Sequence, residues 1–445
     1  MFKYILVFVL FYTIRWLIPF LTFPNRRNIL SIIDLPSLLI ASIIGSVYFL
    51  GQRVLLLPLN FSYETLDTIS YIFLFSTIFW VIGFGLTYFN EKNFITGMLI
   101  KQYKKIERNI SFENLSKKMF FIFVIGVLCL TYSFYKMHLI PMFADDPFMA
   151  KFFAGPYQDV YRPIAHFYRV GLNLLPVFLL FSTFFLLSKK SLPERVKYLT
   201  FTGICIILLT LTLRRGLIAF NVITAIIFFV AVYMKKRYFY IFLFLYLLIF
   251  SFGSAVNQLI LFLKGKVVSI SFLSIIYGMP DISDLIVFME KWLSSNADYT
   301  LGRTIFGGLI PFHYEWNPAT YTKIIVSGDS NAATGGFRLP VEIWGFVSFG
   351  YIGALVFGFF HGCITAIVYK IQYCLLINTT KDNSKLEVFL KLLYIEFVYL
   401  LSNFLFNMTL DSLLLITIYI YIMYQQNNRK VKLKIPTVDE HFSLQ

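Results

Sequence analysis

The sequence predicts an all-α polytopic integral membrane protein with about 11 transmembrane helices, within a range of about 10 to 12. Apolar residues make up 58% of the 445 residues, and charged residues make up only 14%, against about 25% in soluble domains. The apolar residues occur in runs close to the length of about 20 that a bilayer core requires. The net charge of +16 is concentrated in short segments between these runs. These observations exclude a soluble globule, a disordered chain and a nucleic-acid-binding protein.

We interpret residues 1–445 as one membrane domain without internal repeats. The predicted spans are Tyr4–Phe20, Ile29–Leu50, Leu66–Phe89, Met119–Tyr135, Ile164–Leu187, Tyr198–Leu213, Gly216–Met234, Tyr238–Leu263, Trp344–Tyr369, Leu386–Phe406 and Ser412–Tyr424. Arg15 interrupts the first span, which lacks a small-residue cleavage site, and we expect that span to be a retained anchor.

Basic residues indicate the orientation, because lysine and arginine are enriched in cytoplasmic loops. They are dense in 90–118, in 188–197, in 235–237 and in the C-terminal tail. These segments alternate correctly with the spans if all of them are cytoplasmic. The long loop 264–340 then faces outward, and its acidic and basic residues balance. Unstructured loops of this length are uncommon, and we expect short helices in it, including Asp281–Ser294.

The fifth span carries a polar stripe at its outer end. Arg162, His166, Arg169 and Asn173 follow one another at helical spacing, whereas the opposite faces are apolar. Ionisable residues in a membrane helix usually face a cavity or a partner. The stripe therefore predicts a water-filled groove that attracts anions, although Arg162 alone fits a side chain that reaches the lipid headgroups.

Arg214 and Arg215 separate two apolar runs at an end that must face outward, against the usual charge bias. An anionic ligand or lipid phosphate would explain their position, because the planar guanidinium group binds phosphate oxygens in pairs. On the tenth span, Glu396, Asn403 and Asn407 share a face, which favours hydrogen bonding between helices.

The sequence contains no glycine-rich phosphate loop, no zinc-ligand spacing and no nucleophile elbow. Its four cysteines follow neither a metal-ligand pattern nor a disulfide pattern. We therefore expect no cofactor and no ATP chemistry, so that any substrate must arrive already activated.

From Thr300 the chain reads TLGRTIFGGLIPFHYEWNPATYTKII, and then NAATGGFRLPVEIWGFVSFGYIGALVFGFFHG. This region resembles the O-antigen polymerase (Wzy-type) family of oligosaccharide repeat-unit polymerases. Members of that family typically show a G-x-T-type opening, a Pro-aromatic-Trp-x-x-Pro stretch, and a small-residue/Glu segment before an aromatic-Phe-Gly-x-x-Gly entry to a helix. The rest of the chain agrees in layout alone. The family usually has arginine just after the first proline of Pro-x-x-Trp, where this chain has Phe312 and His313.

The resemblance implies a metal-independent glycosyltransferase that polymerises undecaprenyl-pyrophosphate-linked repeat units into O-antigen or capsular polysaccharide. It would lie in the bacterial inner membrane with a periplasmic active site. The implied partners are the lipid-linked donor and acceptor, the bilayer and a chain-length regulator. The alternatives are an O-antigen ligase, which uses the same donor, and a lipid-linked oligosaccharide flippase. Polar residues collected at the outer ends favour an enzyme over a transporter.

A pyrophosphate leaving group needs fixed positive charge. The residues that could supply it are Arg162, Arg169, Arg214, Arg215, Arg303 and Arg338. The attacking hydroxyl needs a base, for which Glu342 is the first candidate and His313 or His166 the second. Glu342 could instead form an ion pair with Arg338 that holds the loop on the bundle. Trp316 could stack on a sugar ring, or belong to an interfacial aromatic belt.

Overall fold

A computed structural model describes residues 2–22, 62–90, 93–153, 155–189, 191–234, 240–241, 281–309, 314–328, 336–337, 339–377, 379–380 and 382–424. Within these ranges the chain forms α-helices and short 3-10 turns and contains no β-strand. The predicted span Ile29–Leu50 and nearly all of Tyr238–Leu263 lie outside the described residues, as does the tail after Tyr424.

The described helices are numbered here in chain order. They are α1 (Phe2–Thr22), α2 (Tyr63–Phe89), α3 (Phe94–Asn109), α4 (Phe112–Met137), α5 (Pro147–Phe152), α6 (Tyr157–Tyr161), α7 (Ala165–Ser188), α8 (Leu192–Leu211), α9 (Arg215–Tyr233), α10 (Asp281–Ser294), α11 (Arg303–Phe306), α12 (Pro318–Ser327), α13 (Val341–Leu376), α14 (Lys385–Phe404) and α15 (Leu410–Met423). Three 3-10 turns are Pro141–Phe143, Arg162–Ile164 and Tyr314–Trp316.

Six helical stretches among the described residues are long and apolar enough to cross a membrane. They are Phe2–Thr22, Tyr63–Phe89, Phe112–Phe143, Tyr157–Ser188, Gly216–Tyr233 and Val341–Leu376. The chain is therefore an all-α protein with several membrane-crossing helices. The helix predicted within the long loop, Asp281–Ser294, is confirmed as α10.

Polar side chains begin several of these helices. An oxygen of each accepts a hydrogen bond from a backbone N–H in the first turn, as expected for N-cap residues. The capping residues are Ser62, Asn93, Ser111, Ser384 and Thr409. The sequence itself therefore helps to specify where these helices start.

Contacts between the helices show their relative directions. Along α1 and α2, Tyr4 donates to Asp67 at 3.0 Å, and further on Arg15 lies 3.4 Å from Thr77. The residue numbers of the contacts increase together along both helices, so α1 and α2 are parallel. By contrast, α4 and α7 are antiparallel, because Gly126 contacts Leu175 whereas the later Leu130 contacts Gly171.

One end of the bundle, which we call the basic end, carries the lysines and arginines of α3 and of the first two turns of α4, α8 and α14. There Lys118 on α4 donates to the carbonyl oxygens of Tyr421 at 2.8 Å and Ile422 at 3.2 Å, at the end of α15. Lys385 on α14 donates to the carbonyl oxygen of Ser188, the last residue of α7. The opposite end, which we call the far end, carries the start of α7, the α8–α9 connection and the start of α15.

The amphipathic helix α3 lies at the basic end, inside the segment 90–118, where no helix was predicted. Tyr103 is buried against Tyr394 of α14, with ring centroids 5.3 Å apart, and the Tyr394 hydroxyl donates to the Leu99 carbonyl at 2.7 Å. The exposed basic residues of α3 are Lys101, Lys104, Lys105 and Arg108.

The helix α13 corrects the predicted span Trp344–Tyr369, because it is broken at Phe349 and Gly350. Gly350 has φ +65°, a conformation that glycine adopts readily, and the chain reverses there. Residues 341–348 form a first limb that packs on the second limb, 351–376. A Cβ atom on Gly353 would lie 2.1 Å from the Gly345 carbonyl oxygen, although residues eight apart are about 12 Å apart in a straight helix. The predicted span therefore begins with the turn of a helical hairpin, and its second limb, 351–376, is one continuous helix.

Candidate functional site

The far end of α7 contains the stripe predicted from the sequence. Arg162 belongs to a 3-10 turn, and both Arg162 and His166 are exposed. Arg169, two turns further along, is half-buried, and its Nε donates to the hydroxyl of Tyr161 at 3.2 Å. The stripe is therefore divided between two exposed side chains, Arg162 and His166, and two half-buried ones, Arg169 and Asn173.

Arg214 lies in the tight connection between α8 and α9. The preceding Leu213 has φ +58°, and the Arg214 backbone N–H donates to the Thr212 hydroxyl at 3.3 Å. Among the described residues, the buried Nε of Arg214 has no hydrogen-bond partner. Such a donor is costly to bury, so this atom is available to a ligand.

Arg169 and Arg214 meet at Tyr161. Arg214 lies close enough to interact electrostatically with Tyr161 and Tyr168, and Arg169 contacts Tyr161 directly. Phe153 stacks on the Tyr161 ring with centroids 4.0 Å apart. We call Arg169, Arg214, Tyr161 and Tyr168 the arginine cluster. The structure thus brings together two predicted arginines, one on α7 and one in the α8–α9 connection.

An acidic side chain also acts on this cluster. Asp411, in the first turn of α15, interacts electrostatically with Tyr161. The described charges at this place are therefore two guanidinium groups and one carboxylate, which leaves a net positive charge. A site of this composition attracts anions.

The long loop places Arg303 against Trp316. The guanidinium carbon of Arg303 lies 5.1 Å from the centre of the Trp316 ring, which is a cation–π distance. Gly307 permits this arrangement, because a Cβ atom there would lie 2.2 Å from the Trp316 carbonyl oxygen. Two of the predicted ligands are thus held together on one loop segment.

Beneath Trp316, the ring of Tyr321 is stacked with centroids 5.9 Å apart. Burial raises the pKa of Tyr321, so its hydroxyl stays protonated at neutral pH. That hydroxyl accepts a hydrogen bond from Trp292 Nε1 at 3.1 Å. Trp316 therefore packs on Tyr321, which is itself hydrogen-bonded to Trp292 of α10.

The Arg303 segment lies at the same end as the arginine cluster. The Met408 N–H donates to the Ile305 carbonyl and the Leu410 N–H donates to the Gly308 carbonyl, both at 3.0 Å. Leu410 directly precedes Asp411, which acts on Tyr161. The loop therefore rests on the connection that leads to the arginine cluster.

Glu342, the first candidate for the base, lies buried inside the bundle. Its Oε1 accepts from Arg15 Nη2 at 2.8 Å and lies 2.9 Å from His361 Nδ1. The hairpin causes this, because the first limb runs back beside the second and brings Glu342 level with His361. The exposed fractions of the side chains of Arg15, Glu342 and His361 are 8%, 1% and 31%. We call these three residues the buried triad.

Aromatic rings and small residues surround the buried triad. The guanidinium carbon of Arg15 lies 3.6 Å from the centre of the Phe11 ring, and Arg15 Nη1 lies 3.4 Å from the Thr77 hydroxyl. The ring of His361 packs against Phe406 with centroids 5.6 Å apart. In the sequence, Arg15 stands out only as an interruption of the first predicted span, and His361 is not among the predicted site residues. The signal that could have found them is the presence of ionisable residues in apolar segments, because such residues usually pair with one another inside a membrane protein.

For the other predicted site residues, the structure does not describe the side chains. His313 and Arg338 lie outside the described residues, so the predicted ion pair between Glu342 and Arg338 stays untested. Arg215 begins α9, and only its backbone is described. Among the described side chains, no group of three histidine, cysteine, aspartate or glutamate residues is placed to hold a metal ion.

Comparisons with known proteins identify neither a family nor a relative of this chain. No protein-family model matches the chain, no curated protein matches its sequence, and no solved structure matches its fold.

Proposed function

We propose that this protein is a membrane glycosyltransferase that polymerises undecaprenyl-pyrophosphate-linked oligosaccharide repeat units. In this proposal the basic end faces the cytoplasm, in line with the usual excess of lysine and arginine in cytoplasmic loops. The far end then faces the periplasm of a bacterial inner membrane. The product is O-antigen or capsular polysaccharide.

The observation that carries the proposal is the meeting of Arg169 and Arg214 at Tyr161. One guanidinium group lies on α7 and the other in the α8–α9 connection, both near the ends of apolar spans, and together they suit a diphosphate attached to a membrane lipid. The buried Arg214 Nε without a described partner supports a ligand in this place over simple contact with lipid headgroups.

The long loop supports a sugar substrate. Trp316 presents an aromatic ring beside a fixed guanidinium group, Arg303, and aromatic rings of this kind offer an apolar face with polar neighbours. The loop contacts the connection before α15. The carbohydrate part of a lipid-linked substrate would therefore lie under the loop while its diphosphate lies on the arginine cluster.

The proposed reaction transfers the growing chain from its lipid pyrophosphate to a single lipid-linked repeat unit. A hydroxyl oxygen of the acceptor forms a bond to the anomeric carbon of the donor. The bond from that carbon to the pyrophosphate oxygen breaks, and the electron pair leaves with the pyrophosphate. The two guanidinium groups stabilise the negative charge that develops there, and the acceptor proton passes to a base.

The test uses the purified full chain in lipid nanodiscs with undecaprenyl-pyrophosphate-linked oligosaccharide. We expect a ladder of lipid-linked products. Arg214→Gln should lower kcat by about 100-fold or more, the usual cost of removing one transition-state donor. Arg108→Gln is the matched control, because Arg108 is an exposed arginine at the basic end.

Three results would contradict the proposal. A ladder of normal length from Arg214→Gln would exclude the role of the arginine cluster. Transfer only to a lipid A–core acceptor would indicate a ligase. Movement of lipid-linked units across vesicles without bond formation would indicate a flippase.

A further inference from the structure

We infer that an open groove at the basic end binds an anionic phospholipid, whose phosphate contacts the first turns of α3 and whose acyl chains cover apolar side chains beside it. The groove has a volume of about 980 Å³, near the upper limit of about 1,000 Å³ for small-molecule sites. It lies where the ends of α1, α2 and α13 meet the start of α3. The inference is independent of the proposed reaction, because it concerns the opposite end of the bundle.

The start of α3 supplies positive charge to the groove. The side chain of Asn93 accepts from the Thr96 N–H at 3.1 Å, and Asn93, Phe94 and Thr96 all line the groove. The partial positive charge of a helix N-terminus attracts anions. Lys101, further along the same helix, is exposed and also lines the groove. Among the described residues that line it, none is acidic, so the groove favours an anion.

Thr96 is a second and independent indication of a ligand. Its side chain lines the groove and is only 8% exposed. Among the described residues, its buried Oγ1 has no hydrogen-bond partner. An unpaired hydroxyl is costly to bury, and a phosphate oxygen in the groove would accept its hydrogen. A hydroxyl, a helix N-terminus and a lysine ammonium are each suited to binding phosphate.

The lysine on the other side of the groove has a different role. Lys370 of α13 donates to the carbonyl oxygens of Thr87 and Asn90, each at 2.8 Å. It therefore satisfies carbonyl groups at the end of α2, where the helix itself offers no donor. These bonds join α13 to α2 and shape the wall of the groove. We therefore assign the contact with the lipid phosphate to Lys101.

The apolar lining favours a lipid over a soluble anion. Phe89, Phe94 and Met98 line the groove and are exposed. Apolar side chains beside lysines on one amphipathic helix are typical of segments that lie in the membrane interface. A phospholipid would cover these side chains with its acyl chains while its phosphate contacts Lys101, whereas a free phosphate would leave them in water. Lysines at the membrane surface attract anionic lipids in particular.

The experiment measures lipid binding to the purified full chain in a neutral detergent by native mass spectrometry. The probes are phosphatidylglycerol, phosphatidylcholine with the same acyl chains, and inorganic phosphate. We expect phosphatidylglycerol to bind about tenfold more tightly than phosphatidylcholine, the effect of one hydrogen bond to a charged group. Equal affinities for the two lipids would overturn the inference. Displacement of phosphatidylglycerol by millimolar phosphate would also overturn it, because the site would then take a soluble anion.

Two lysine variants separate the groove from general surface charge. Lys101→Gln should weaken phosphatidylglycerol binding about tenfold. Lys105→Gln is the matched control, because Lys105 is exposed one turn further along α3 and does not line the groove. We expect it to change the affinity by less than about threefold, since exposed charges contribute little. Equal losses in the two variants would show attraction by surface charge alone and would overturn the site.

A glycine variant tests the groove without changing charge. Gly97 lines the groove, and nothing lies within 4 Å of its added Cβ atom. Gly97→Leu should therefore fill the groove and reduce phosphatidylglycerol binding about tenfold or more, while leucine favours the helix. Gly85→Leu is the control, because Gly85 has the same open space but does not line the groove. Wild-type affinity in monodisperse Gly97→Leu would overturn the inference.

Discussion

Substitution of Gly83 by alanine tests the packing that positions His361. Gly83 on α2 faces the second limb of α13, where an added Cβ atom would lie 2.2 Å from the Phe359 carbonyl oxygen and 3.2 Å from Cys363 Sγ. The limb has matching close contacts, since Gly358 faces Ser76 and Gly362 faces Trp80. The first obstacle is backbone, so the two helices must separate by about 1 Å to reach ordinary contact distances.

The expected magnitude follows from two opposing effects. Alanine gains about 1 kcal/mol over glycine in a helix interior, whereas overpacking costs about 1–3 kcal/mol and sometimes more. Gly85, two residues further along α2, provides the matched control, because nothing lies within 4 Å of its added Cβ atom. The propensity gain is common to both variants, so we expect Gly83→Ala to lower the free energy of unfolding relative to Gly85→Ala by the overpacking cost, about 1–3 kcal/mol.

The assay is thermal unfolding of both variants in one detergent, followed by the fraction that remains monodisperse after heating. Gly83→Ala should lose this fraction at a lower temperature than wild type, and Gly85→Ala should match or exceed wild type. Equal midpoints for the two variants would refute the close approach of α2 and α13. The buried triad depends on that approach, because His361 lies between Gly358 and Gly362.

Two further predictions concern the far end, and each is measured as polymerisation kinetics of the full chain. Tyr161→Phe removes the hydroxyl that accepts a hydrogen bond from Arg169 Nε. Loss of a hydrogen bond to a charged group costs about 1.5–3 kcal/mol, so we expect kcat/KM to fall by about 10-fold or more. An unchanged kcat/KM would exclude Tyr161 from positioning Arg169. Gly307→Ala forces Trp316 away from Arg303 and should raise KM for the lipid-linked oligosaccharide. Gly216→Ala is the control, because open space surrounds its added Cβ atom, and it should leave KM unchanged. Equal KM values for the two variants would show that Trp316 is not part of the substrate site.

The sequence allowed the membrane class to be predicted because hydropathy is a local property. The apolar runs that became α2, α4, α7 and α9 were long enough to identify without knowing their neighbours. The loop helix α10 was recognised for the same reason, since its amphipathic pattern lies within the helix itself. The class and most described helices therefore follow from composition and periodicity.

The hairpin of α13 could not be predicted in this way. Hydropathy does not distinguish a straight apolar helix from one that reverses, and the reversal depends on Phe349 and Gly350 together with the contact between Gly345 and Gly353. The location of Glu342 depends on this reversal. Its partners Arg15 and His361 come from two separate apolar segments, so their pairing required the tertiary structure.

The arginine cluster shows the opposite case. Arg169 and Arg214 were identified because charge is costly in apolar segments, and that cost is visible in the sequence alone. Their convergence on Tyr161 depends on the packing of α7 beside the α8–α9 connection. The two arginines could thus be predicted as site residues from the sequence, whereas their meeting at Tyr161 was visible only in the structure.

The ion pair between Arg15 and Glu342 has a consequence for biosynthesis, because 327 positions separate the two residues. At a translation rate of about 5–20 residues per second, roughly 16–65 s pass between the synthesis of one and the other. During that interval the nascent first helix carries its guanidinium group without its carboxylate, at an insertion cost of about 2.5–3.5 kcal/mol. Final docking of the amino-terminal helix therefore waits until the ribosome has made most of the chain.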